Sequence, residues 1–81
     1  MKTFVEPEHF TPEQRQLVLG ALRKRSPRPI LIGEVTFMLE SWATLRWTES
    51  MLEEMVKDGV LRHLTREEKR NFDVRHGYLP V

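Results

Sequence analysis

At 81 residues, with 40% hydrophobic and 31% charged side chains, the chain fits one small globular domain and not a disordered segment. It holds no cysteine, which excludes disulfides and cysteine-ligated zinc, and no apolar run approaches the roughly 18 residues of a membrane span. The net charge of +1 is too small to announce a nucleic-acid partner, so any such signal must lie in how the charges are distributed.

The first ten residues, MKTFVEPEHF, contain no apolar signal core, so a cytoplasmic protein with a short N-terminal arm (1–10) is expected. Phe4, Val5 and Phe10 are its candidates for packing on the body. Thr11-Pro12-Glu13-Gln14 then opens a helix: threonine caps, proline suits the first helical position, and glutamine completes a capping box. Leu17, Val18, Ala21 and Leu22 recur at helical spacing and predict its buried face. Arg15, Arg23, Lys24, Arg25 and Arg28 make residues 15–28 purely basic, and the prolines at 27 and 29 end the helix near Arg25.

Ile30-Leu31-Ile32 is too short for a helix and predicts a brief strand. Val35, Met38, Leu39 and Trp42 predict a second helix over 33–42, followed by a turn over 41–47 with Leu45 facing inward. Thr48 is the expected cap of a third helix, with Leu52, Met55 and Val56 on its inner face and Gly59 as its C-terminal stop. This helix carries Glu49, Glu53, Glu54 and Asp58 against Lys57 alone. Residues 60–64 read as a strand. Thr65-Arg66-Glu67-Glu68 is a second capping-box pattern inside a long loop, and residues 77–81 read as a returning strand.

The order of helix, short strand, helix, turn, helix, strand, loop, strand is carried by PILIGEVTFML and TESMLEEMVKDGVL. In this it resembles the winged helix-turn-helix superfamily. Ile32-Gly33-Glu34-Val35 matches the opening of that family's second helix. Leu52, Met55, Gly59 and Val60-Leu61 match its third helix and the entry to its wing. The resemblance covers residues 11–81 and identifies no subfamily. It implies a mainly α fold with a small antiparallel sheet, a three-helix bundle plus a β-hairpin wing. The stretch from Glu34 to Leu52 is about two residues longer than is common there, and the wing loop is also long.

That resemblance implies binding of double-stranded DNA by a small transcription regulator, with the wing and the turn before the third helix making contact. Arg46, Thr48 and Ser50 are the candidates near the third helix. Arg62, His63, Arg66, Lys69, Arg70 and Arg75 are the candidates along the wing, where cations can follow phosphates. Glu67 and Glu68 offer the competing use of pairing with those cations on a solvated loop. A homodimer would add a second half-site.

The four acids on the third helix oppose this reading unless they point away or are paired. The alternative is a protein-binding winged helix that meets a basic partner through Glu49, Glu53 and Glu54, with Phe37 and Trp47 as exposed anchors. Trp47 has a competing role as a buried brace for the turn, and Trp42 falls on the apolar period of the core. Enzymatic, metal and cofactor roles find no motif: His9, His63 and His76 lack ligand spacing, and no glycine-rich loop cradles phosphate.

Overall fold

The computed structural model describes residues 8–39 and 44–81. Among these residues four helices, α1 (Pro12–Arg25), α2 (Ile32–Met38), α3 (Leu45–Lys57) and α4 (Arg66–Asn71), accompany two strands, β1 (Leu61–His63) and β2 (Tyr78–Pro80). The layout is mainly helical with a small antiparallel sheet, like that of a winged helix, with α4 set into the wing.

Local chemistry fixes most element ends. Thr11 accepts from the Gln14 amide at 3.1 Å, and the Gln14 side chain accepts from the Thr11 amide at 2.8 Å, closing the expected capping box of α1. α3 ends in a Schellman turn, in which Gly59 at φ 81° donates to the Val56 carbonyl and Val60 to that of Met55. α4 ends the same way, with Asp73 at φ 53° in the left-handed position that glycine holds after α3. The expected cap at Thr65 is also formed, with Glu68 completing its box.

Several expectations are corrected. α3 begins at Leu45, because Thr44 and not Thr48 is its cap, accepting from the Trp47 amide at 3.1 Å. The extra turn puts Thr48 inside the helix, where it is fully buried, and leaves Leu45 59% exposed instead of inward-facing. On α1 the buried residues are Val18 and Leu22, while Leu17, about 100° round the helix from Val18, is 49% exposed. α2 runs from residue 32 to 38 instead of 33 to 42; Trp42 and the expected turn at 41–43 lie outside the described residues, as do Phe4 and Val5.

The core gathers Val18 and Leu22 of α1, Val35 of α2, Trp47, Met51, Leu52 and Met55 of α3, and Leu61 and Tyr78 of the wing. Phe10 joins it, its ring meeting that of Trp47 edge-on at 5.3 Å. A short polar chain crosses between α2 and α3. Thr36 Oγ1 lies 2.8 Å from Thr48 Oγ1, which donates to the Thr44 carbonyl at 3.2 Å, so the buried hydroxyl is satisfied.

In the wing, Leu61 pairs with Pro80, Arg62 with Leu79 and His63 with Tyr78. Ile30 bridges to the other side of Tyr78 through two backbone hydrogen bonds, so the expected strand at 30–32 shrinks to one residue. The chain comes close here: a Cβ on Gly77 would sit 3.0 Å from Leu64 and 3.1 Å from Pro29, which only glycine avoids.

Candidate nucleic-acid interface

α3 presents two faces because its apolar residues recur at helical spacing. Trp47, Thr48, Met51, Leu52 and Met55 point inward. Arg46, Glu49, Ser50, Glu53, Glu54 and Lys57, with the buried Met51 at its floor, line an open groove of about 660 Å³ on its outer side. The wing stands beside this face, and a smaller hollow of about 200 Å³ between the two is lined by Glu49, Glu53, His63, Lys69, His76 and Tyr78, among others.

Most of the acids on this side are engaged within the molecule. Glu53 accepts from the Tyr78 hydroxyl at 2.6 Å and meets His63 Nε2 at 3.1 Å. Burial, reinforced by the hydrogen bond to Glu53 and by its charge, raises the Tyr78 phenol well above its ordinary range, so it stays protonated and donates. Glu54 holds His9 Nδ1 at 2.7 Å, and this hydrogen bond and charge raise the imidazole above its usual value. Asp58 pairs with Arg15 at 2.8 Å.

Glu68 gathers the most contacts. Arg62 donates to both its oxygens, at 2.7 and 2.8 Å, and the Thr65 amide donates to one of them at 2.9 Å. These contacts, Arg62 first, hold its carboxyl down at about 2, against an ordinary 4.5. A carboxylate depressed by folding stabilises the fold above its unfolded value, and the contribution is lost as pH falls through the folded one. Thermal melts of wild type and Glu68→Gln should therefore converge as pH drops from about 4.5 to about 2. A constant gap would show that the Arg62 contact adds nothing to folding.

The sequence-derived candidates separate accordingly. Arg46 and Ser50 are exposed on the outer face of α3, and Arg66, Arg70 and Arg75 on the wing, with Lys69 half-buried beside them. Among the described residues none of these six takes part in a hydrogen bond or salt bridge of its side chain. Thr48 is removed from any interface by burial, Arg62 is committed to Glu68, and His63 to Glu53. Of the alternative anchors, Trp47 is buried at 6% exposure while Phe37 is 87% exposed. Glu53 and Glu54 are half-buried and bonded, and Glu49 is exposed and makes no hydrogen bond among the described residues.

Sequence reasoning missed the Glu53–Tyr78 and Glu54–His9 pairs, which join residues 25 and 45 positions apart and leave no local signature. No group of histidine and acidic side chains among the described residues is arranged to hold a metal ion, and no described helix is long and apolar enough to cross a membrane. Comparison with protein-family models, with curated proteins and with solved structures returns no match to this chain.

Proposed function

We propose that the protein binds duplex DNA through the outer face of α3 and the adjoining wing, as a small non-enzymatic regulator. One observation carries this reading. Acids that would repel phosphate are tied up internally at Glu53, Glu54, Asp58 and Glu68, whereas Arg46, Arg66, Lys69, Arg70 and Arg75 make no ion pair among the described residues. An acidic helix is thereby compatible with a phosphate-facing surface, and free cations beside a groove-sized helix are the footprint of backbone contact.

The test is binding of a fluorescent random duplex at low and moderate salt, by wild type and by Arg66→Glu/Arg70→Glu. Wild type should bind with a strong salt dependence. The double reversal should weaken binding by about tenfold or more and flatten the salt slope by about two, one for each phosphate that no longer meets a cation. Absence of binding at low salt would remove the reading.

Phe37 favours a second reading. Its exposed ring borders a groove of about 430 Å³ lined by Ala21, Ile30, Gly33 and Met38, among others, the kind of surface that meets a protein. A second copy of the chain is the occupant consistent with a DNA-binding dimer. Sedimentation of wild type and Phe37→Glu distinguishes a dimer through this face from a monomer.

A further inference from the structure

The DNA reading leaves one group unexplained: Glu49, the carboxylate of the outer face of α3 that among the described residues is neither bonded nor buried. Glu53 is turned to Tyr78 and His63, and Glu54 to His9. Lys57 lies eight residues further along, two turns away, so the cation of α3 nearest to Glu49 is Arg46. Next to a phosphate backbone a bare carboxylate is a liability. On the floor of the major groove it has a partner, because cytosine and adenine present exocyclic amino donors there.

Its neighbours sharpen the choice. Arg46 precedes Glu49 by three residues, so the two share a helix face with their Cβ atoms about 5–6 Å apart. Both lie in the first turn and a half of α3, the part of a groove-bound helix that meets base edges. Both are exposed and both line the same open groove. A donor fork beside an acceptor on one helix face matches the edge of a G·C pair, where guanine offers O6 and N7 and cytosine offers its N4 amino group. An A·T pair offers Glu49 one donor but gives Arg46 no second acceptor at the place where guanine has O6.

Resting on the DNA reading, we propose that Arg46 and Glu49 act together as the base-reading pair of this protein and select G·C, Arg46 donating to guanine and Glu49 accepting from cytosine N4 on the same or the adjoining base pair. Glu49 then acts as a filter: it weakens attachment to DNA at large and restores it only where a cytosine amino group is in register.

The test selects sites from a random duplex pool with wild type, Glu49→Gln and Arg46→Ala, and measures each protein on the selected sites and on unselected duplex. Because both positions are exposed, matched thermal melts confirm folding. Wild type should enrich a motif containing G·C pairs, with replacement of the critical pair by A·T weakening binding by about 5- to 150-fold. Glu49→Gln should accept adenine at the cytosine position, since glutamine pairs with adenine N6 and N7, and should bind unselected duplex at least as tightly as wild type. Arg46→Ala should lose discrimination at the guanine position. The same motif and discrimination from Glu49→Gln as from wild type would overturn the pair while leaving DNA binding standing. Salt-sensitive binding with no motif would overturn it equally. Absence of binding to any duplex would overturn both the pair and the reading beneath it.

Discussion

Leu52→Ala is expected to cost about 2–5 kcal/mol of folding stability, enough to leave a large fraction of the chain unfolded near body temperature. Leu52 is fully buried on α3, in the same cluster as residues from α1, α2 and the wing. Its removal forfeits both the transfer of its methyl groups from water and the packing around the resulting cavity. In a domain of this length each kcal/mol lowers Tm by roughly 4–8 °C. Leu45→Ala is the internal control: it changes the same residue type on the same helix, but at a 59% exposed site, and should move stability by no more than about 0.5 kcal/mol. Urea titration of both variants checks the contrast. Equal losses would mean that α3 presents a different face to the core.

Trp47→Ala is expected to cost about 3–5 kcal/mol in the isolated chain. The ring is 6% exposed and stands edge-on to Phe10. A double-mutant cycle with Phe10→Ala should return a coupling of about 0.5–1.5 kcal/mol, the worth of an aromatic pair beyond its buried area. This pair also holds the residues before α1 against α3, with His9 reaching Glu54 beside it. A partner anchor behaves differently: its loss would leave the free chain stable and damage only an assembly. Full stability of Trp47→Ala in urea would therefore return the residue to the interface role that its burial argues against.

How far the sequence spoke depended on the range of the forces involved. The boxes at Thr11–Gln14 and Thr65–Glu68 close within three residues, and Gly59 needs only its own backbone, so all three were legible. The start of α3 was not. Thr44 and Thr48 are equally good caps one turn apart, and the choice is made by Thr36, whose hydroxyl meets that of Thr48 across the α2–α3 contact. The exposed cations Arg46, Arg66, Arg70 and Arg75 were legible as surface by type alone. Their release from pairing was not, because it depends on which acids Arg15, Arg62, His9 and Tyr78 reach in three dimensions.

The small sheet also bears on how the molecule behaves when crowded. Tyr78, the first residue of β2, is flanked by Ile30 on one side and His63 on the other, so the strand richest in apolar side chains is paired on both sides where it begins. Past Tyr78 the outer side of β2 ends in Pro80, which has no N–H to donate, and the opposite edge belongs to β1, three residues long and carrying Arg62 and His63. A short charged border is a poor template for a foreign strand, and the Arg62 guanidinium clamped on Glu68 keeps its positive end in place. The wing therefore exposes a β-hairpin to solvent without offering the continuous backbone ladder from which edge-to-edge aggregates grow.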